Sequence, residues 1–162
     1  MKKLLLCLIF IAGSLSANLL DDALDAYSNG DKDKAIKLWA KSCDAGNMEG
    51  CNNLAILYND GDGVKKDLKK AHELYKKSCT GNNMEGCFNL GVIHSEGKAV
   101  EEDKNMAFKY YEKACNGNNA KGCHNLGLAH FYGEGVKKNR NKAFDFYKKA
   151  CRGGNMSSCY KL

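Results

Sequence analysis

The sequence predicts an all-α fold of the α/α solenoid class, in which short helical hairpins repeat along the chain. The first observation behind this prediction is an internal repeat of 36 residues that runs without an insertion. The second is that each repeat contains two stretches whose apolar residues recur at helical spacing. No stretch shows the alternating pattern that is typical of strands. A repeat of this length with two helices is typical of solenoid proteins.

The repeats are aligned by four equivalent alanines, Ala35, Ala71, Ala107 and Ala143. In the third repeat, AFKYYEKAC predicts a longer first helix and GCHNLGLAHFYG predicts a shorter second helix. Gly117 is predicted to end the longer helix in a left-handed conformation. Asn118 and Asn119 then suit a turn and the cap of the next helix. The stretch from Leu19 predicts a further helix that packs on the helix around Trp39, and the last repeat is shortened.

The first 17 residues, MKKLLLCLIFIAGSLSA, have the layout of a secretory signal peptide, with two lysines, an apolar run and then small residues. The apolar run is shorter than the roughly 20 residues that a transmembrane helix needs. Cys7 raises the alternative of a lipoprotein signal, but it follows three leucines without a small residue before it. We therefore expect residues 18–162 to form one exported domain, in the periplasm or outside the cell.

Removal of residues 1–17 would leave eight cysteines and a net charge of +4, from 23 basic and 19 acidic residues. This basic excess is too small and too diffuse to indicate nucleic acid as a partner. No stretch has the pattern of a nucleotide, flavin or haem site. We expect a monomer without a cofactor and without a nucleic-acid partner.

The eight remaining cysteines form four pairs with the spacing C-x₇-C, one pair in each repeat. Each pair connects the end of the longer helix to the start of the shorter one, and an antiparallel helix pair brings such positions within disulfide range. An even number of cysteines in an exported chain also favours disulfides. Zinc sites usually have closer pairs and redox sites have C-x-x-C, and the sequence contains neither. The predicted disulfides are Cys43–Cys51, Cys79–Cys87, Cys115–Cys123 and Cys151–Cys159.

The stretch NLGLAHFYGEGVKK, followed by a helix from Ala143, resembles the Sel-1-like repeat, a relative of the tetratricopeptide repeat. With C-x₇-C in every repeat, the chain is similar to the Helicobacter cysteine-rich protein family over nearly all of residues 18–162. That resemblance implies an exported, disulfide-bridged repeat protein that binds penicillins and weakly hydrolyses β-lactams. It also implies interaction with host proteins for some members. The chain departs from the repeat pattern at Ala99, which replaces the glycine of Gly63 and Gly135.

The residues that would carry hydrolysis are not evident from the sequence. Two stretches match S-x-x-K, at Ser95 to Lys98 and at Ser158 to Lys161, but the accompanying S-D-N and K-T-G motifs are missing. The spacing of the histidines does not indicate a zinc site; they are His72, His94, His124 and His130. Catalytic residues therefore stay unassigned, and the hydrolase activity depends on the resemblance alone.

One asparagine recurs two positions after the second cysteine of three repeats, at Asn53, Asn89 and Asn125, and Lys161 takes this position in the last repeat. In tetratricopeptide proteins the shorter helix, which is the first of each tetratricopeptide unit and corresponds to the shorter helix here, lines a concave groove. An asparagine at the equivalent place can hold a peptide backbone or carboxylate. This predicts binding of a peptide, a protein or a peptidoglycan-like ligand, to which the resemblance adds β-lactams. The alternative is that the asparagines bond to neighbouring helices and fix their packing.

Overall fold

The computed structural model describes residues 18–162, and the predicted signal peptide lies outside these residues. All regular secondary structure in the described part of the chain is helical, which confirms the all-α prediction. The helices are α1 (residues 18–28), α2 (Lys32–Asp44), α3 (Met48–Asp60), α4 (Leu68–Thr80), α5 (Met84–Glu96), α6 (Lys104–Asn116), α7 (Ala120–Tyr132), α8 (Arg140–Arg152) and α9 (Met156–Cys159). Among residues 18–162, no helix has both the length and the apolar character that a membrane crossing requires.

The helices form two compact units, an N-terminal unit that ends at Gly81 and a C-terminal unit that begins at Asn82. In the N-terminal unit, Ala23 and Ala26 of α1 pack with Trp39 of α2 and with leucines of α3. The helix predicted from Leu19 onward is therefore present and covers Trp39. In the C-terminal unit, the buried core includes Tyr111 and Leu126. Both cores consist of the apolar residues that the helical spacing predicts.

Each helix from α2 onward begins directly after a capping side chain. Asp67 accepts a hydrogen bond from the backbone N–H of Lys70 before α4, and Asn119 accepts one from Gly122 before α7. These side chains satisfy N–H groups that have no partner inside the helix. The predicted cap at Asn119 is confirmed.

The two helices of a repeat are equally long, since α6 and α7 each have 13 residues, so the predicted difference in helix length is wrong. The turn between these two helices also differs from the sequence prediction. Gly117 ends α6 with φ −85°, so it does not adopt the left-handed conformation. Asn118 takes that conformation instead, with φ 65°, which an asparagine tolerates better than most residues. A Cβ atom at Gly117 would clash with the Met84 side chain, so that methionine would have to shift if the glycine were replaced. The glycine thus marks a close approach between helices.

The loop that joins two repeats closes back on the helix before it. Gly133 ends α7 in the left-handed conformation with φ 84°. The backbone N–H of Asn139, which caps α8, then donates to the carbonyl of His130 at 2.8 Å. Within this loop Gly135 also has a positive φ of 67°, and Ala99 has the same value in the loop between α5 and α6. An alanine therefore occupies a conformation that glycine adopts more easily.

Disulfides link the repeat cysteines at the points where the two helices of a repeat approach each other. The structure contains Cys43–Cys51 and Cys115–Cys123 with Cα atoms 4.5 Å apart, and Cys151–Cys159 with Cα atoms 4.9 Å apart. The helices approach closely because small residues face each other. A Cβ atom on Gly122, for example, would lie only 2.7 Å from the Cβ atom of Ala114. Cys79 and Cys87 belong to different units, and their pairing stays a prediction.

Candidate functional site

A small polar cavity of about 100 Å³ lies within the C-terminal unit beside Asn125, one of the predicted groove residues. We refer to it as the Ser95 cavity. Its lining consists of Ser95, Lys104, Ala107, Phe108, Tyr111, Asn125, Leu128, Ala129 and Glu134. Helices α5, α6 and α7 and the loop after α7 therefore all contribute to it.

Tyr111 connects the polar side chains of the Ser95 cavity. Its side chain is 7% exposed, and its hydroxyl forms hydrogen bonds with the side chains of Asn125 and Ser95. The Nζ atom of Lys104 donates to the Ser95 carbonyl at 2.7 Å and lies 3.3 Å from the Ser95 hydroxyl. Burial raises the pKa of Tyr111 above its ordinary value, so the phenol stays neutral at neutral pH.

Among the described residues, neither S-x-x-K match brings its own serine and lysine side chains together. Lys98 pairs with Glu96 at 2.5 Å, and Lys104 takes the place beside Ser95. Ser158 is fully buried, and its hydroxyl lies 2.7 Å from Nδ1 of His124. Ser158 is therefore a packing residue, whereas Ser95 faces a cavity.

A second cavity, of about 210 Å³, lies within the N-terminal unit beside Asn53. We refer to it as the Trp39 cavity. It is lined by Leu24, Tyr27, Trp39, Asn53, Ile56 and Leu57, so its walls are mainly apolar. Trp39 and Asn53 precede Tyr111 and Asn125 by two repeats. The two cavities therefore occur at the same place in the repeat, with different chemistry.

The other two predicted groove residues, Asn89 and Lys161, do not line either of these two cavities. Asn89 is partly exposed on α5 and is engaged in contacts within the protein. Lys161 is exposed beyond α9, with its Nζ atom 5.9 Å from the centre of the Tyr147 ring. The structure thus places Asn53 and Asn125 at concave sites. A ligand-binding role for Asn89 and Lys161 stays a prediction.

The histidines in the C-terminal unit have the contacts of packing residues. His130 is 4% exposed; its ring stacks on Phe146 at 5.4 Å and meets the edge of Phe108 at 5.5 Å. Burial lowers the pKa of His130, and also that of His94 and His124, below the ordinary value, because a charged imidazole is poorly solvated there. In residues 18–162 no three histidine, cysteine or acidic side chains are placed to hold a metal ion.

Repeated helix pairs, small-residue crossings and disulfides between the helices define a disulfide-bridged α/α repeat protein of the tetratricopeptide-like class. The Sel1 repeat model matches residues 24–47, 49–83, 85–119 and 120–155. Because these matches cover most of the sequence, the chain belongs to the Sel1 repeat family.

Several solved structures are similar to this chain. A Sel1 repeat protein from Oxalobacter formigenes is 29% identical with a TM-score of 0.81, over 86% of this chain and 57% of that one. A protective antigen of uropathogenic Escherichia coli with an SLR fold is 28% identical with a TM-score of 0.84, over 96% of this chain and 34% of that one. The chain thus spans less than two thirds of both proteins.

Helicobacter pylori cysteine rich protein B is 35% identical with a TM-score of 0.66, over 80% of this chain and 93% of that one. This similarity agrees with the resemblance inferred from the C-x₇-C pattern. None of the curated proteins compared with the chain matches it.

Proposed function

We propose that this Sel1 repeat protein is an exported scaffold that binds peptides or proteins at cavities beside the second helix of its repeats. The observation that carries the proposal is that Asn53 and Asn125, two repeats apart, each line a cavity next to an aromatic residue of the first helix of the repeat. An asparagine amide donates and accepts hydrogen bonds at once, as a peptide backbone requires. Sel1 repeats generally mediate protein interactions, and the disulfides suit an oxidising, exported environment.

Substitution of the two asparagines tests this proposal, because within residues 18–162 only Asn125 is hydrogen-bonded to another side chain in the free protein. Asn125 is bonded to Tyr111, so Asn125→Ala is expected to lower the free energy of unfolding by about 1 kcal/mol and to weaken binding. Asn53 has no hydrogen-bond partner among the described residues, so Asn53→Ala is expected to weaken binding at an unchanged melting temperature. Peptides selected from a random library with the oxidised protein supply the ligand, and calorimetry measures the affinity.

Lys109→Ala, at an exposed position of α6, serves as the control and should change neither stability nor affinity. Selected peptides that bind both asparagine variants as tightly as the unmodified protein would show that these cavities do not hold the ligand. A loss of stability in Asn53→Ala would instead assign that asparagine to helix packing.

Penicillin binding with weak β-lactam hydrolysis is a second candidate function, which the resemblance to the Helicobacter cysteine-rich family implies. The observation in its favour is that the Ser95 hydroxyl lies beside the Lys104 amine in the Ser95 cavity. A serine acts as a nucleophile toward a carbonyl when a neighbouring group assists it. The cavity of about 100 Å³ is too small for a whole penicillin, so only the reacting carbonyl end would enter it.

Hydrolysis of a penicillin by the oxidised protein, measured with variants of the Ser95 cavity, tests this candidate. Ser95→Ala is expected to abolish any turnover, and Lys104→Met to reduce it at least about tenfold, a typical size for loss of a proton-transfer or charge-stabilising group. Lys98→Met is the matched control, because Lys98 completes the sequence motif but pairs with Glu96. Turnover that survives Ser95→Ala would exclude this site.

A further inference from the structure

The Trp39 cavity contains a buried hydrogen-bond donor that nothing in the described part of the chain satisfies. Trp39 is 3% exposed, and its indole Nε1 has no acceptor among residues 18–162. Buried donors are almost always paired, so an unpaired one calls for an explanation. The donor lies in a residue that also lines an open cavity, together with the unengaged amide of Asn53.

The equivalent position in the C-terminal unit shows which hydrogen-bond partners Trp39 lacks. There Tyr111 replaces Trp39, and its hydroxyl has two partners, Asn125 and Ser95. The residue two repeats before Ser95 is Ala23, which has no hydroxyl. Among the described residues, the polar group of this aromatic side chain therefore has hydrogen-bond partners in the C-terminal unit and none in the N-terminal unit.

The Trp39 cavity has a partly exposed rim formed by Leu24 and Tyr27, although Trp39 itself is buried. Leu24 is 43% exposed and Tyr27 is 38% exposed, although both lie beside the core of the N-terminal unit. The Tyr27 ring lies 5.4 Å from the Trp39 ring, and its hydroxyl donates to Asp62 at 2.8 Å. The Nε1 atom of Trp39 is itself enclosed, so an acceptor reaches it only when a side chain that covers it moves. A ligand for this cavity must combine apolar bulk with a hydrogen-bond acceptor.

We propose that the Trp39 cavity is an anchor site for a peptide, which inserts one aliphatic side chain while a neighbouring backbone carbonyl accepts from Nε1 of Trp39. The amide of Asn53 holds the adjacent peptide group. This inference rests on the proposed peptide-binding function and adds the class of residue that the N-terminal unit selects. The volume of about 210 Å³ accommodates one side chain of leucine size and excludes a longer apolar segment.

The sequence contains a single tryptophan, so the intrinsic tryptophan fluorescence of the protein reports on this cavity alone. The probe is the capped pentapeptide acetyl-Gly-Gly-Leu-Gly-Gly-amide, compared with the same peptide carrying aspartate in place of leucine. We expect a saturable change in emission with the leucine peptide, with Kd at or below about 1 mM, and at least tenfold weaker binding of the aspartate peptide. The absence of a saturable change with the leucine peptide would overturn the proposal.

Two variants distinguish the contribution of the Trp39 hydrogen-bond donor to binding from the contribution of the apolar side chain of Leu24. Trp39→Phe removes the unpaired donor, so calorimetry should show at least fivefold weaker binding. The smaller ring also loses packing in the core, so the melting temperature should fall moderately. Leu24→Asp should abolish binding, whereas Lys109→Ala in α6 should leave it unchanged. Equal affinity of Trp39→Phe and the unmodified protein would refute the role of the indole.

The outcome also distinguishes this inference from the proposed function itself. If library-selected peptides bind and depend on Asn125 but not on Trp39, the scaffold function stands and the anchor site is wrong. If neither the selected peptides nor the leucine peptide binds, both proposals fail.

Discussion

Replacing Cys115 and Cys123 by alanine is expected to lower the free energy of unfolding by about 3–4 kcal/mol. The disulfide closes a loop with a sequence separation of 8, and the chain-entropy estimate for such a loop is about 2.5 kcal/mol. Both cysteines are buried, so the loss of their packing adds about 1 kcal/mol. The effect is large for a repeat protein, because each repeat is stabilised only by its own contacts and those to its neighbours.

Urea denaturation of the oxidised protein measures this loss, and the pair Cys151 and Cys159 is the matched control. Both disulfides have the same sequence separation, so the entropy of loop closure is the same for the two. Cys151 and Cys159 are only partly buried and α9 spans just Met156–Cys159, so their removal should cost about 2.5 kcal/mol or less. Equal losses for the two pairs would mean that packing contributes nothing, and a loss below about 1 kcal/mol would contradict the prediction.

The helices could be predicted from the sequence because their signals are local and repeat in register. Asn119 is one residue before α7 and Cys115 and Cys123 flank the turn, so caps, cysteines and apolar spacing all indicate the same boundaries. The conformation of Gly117 could not be predicted in this way. The side chain that approaches Gly117 most closely is that of Met84, which belongs to another helix and leaves no signal in the turn itself.

The candidate sites were less predictable, because their chemistry depends on which residues meet across helices. The motif S-x-x-K pointed to Lys98, but the loop after α5 folds back, with the N–H of Asp103 donating to the carbonyl of His94 at 2.9 Å. That contact brings Lys104, at the start of α6, to Ser95. A spacing rule derived for residues on one helix cannot anticipate a partner that begins the next helix.

Asn53 and Asn125 also show that the sequence does not predict which side chains from other helices surround a residue. They are equivalent in sequence, and the repeat predicted one role for both. The structure gives them different surroundings, because Ser95 helps to satisfy Tyr111 near Asn125, while Ala23 takes the corresponding position in the N-terminal unit. A repeat therefore predicts where a site lies more reliably than what the site binds.

Gly135→Ala is expected to lower the free energy of unfolding by about 3 kcal/mol, while Ala99→Gly raises it by up to about 1 kcal/mol. Both positions have φ 67°, a conformation that disfavours residues with a Cβ by roughly 1–2 kcal/mol. At Gly135 a Cβ would also collide with the carbonyl of Lys104, and that backbone is fixed because it begins α6. Ala99→Gly removes the conformational strain, and the greater freedom of the unfolded glycine offsets part of the gain.

Gly154→Ala separates the two contributions at Gly135. Gly154 has φ 89° and open space around its Cβ position, so its substitution should carry only the conformational cost of about 1 kcal/mol. Urea denaturation of the three oxidised variants under one set of conditions gives the comparison. If Gly135→Ala loses no more stability than Gly154→Ala, the loop shifts away from α6 without penalty. In that case, the close contact with Lys104 would not be the reason for glycine at position 135.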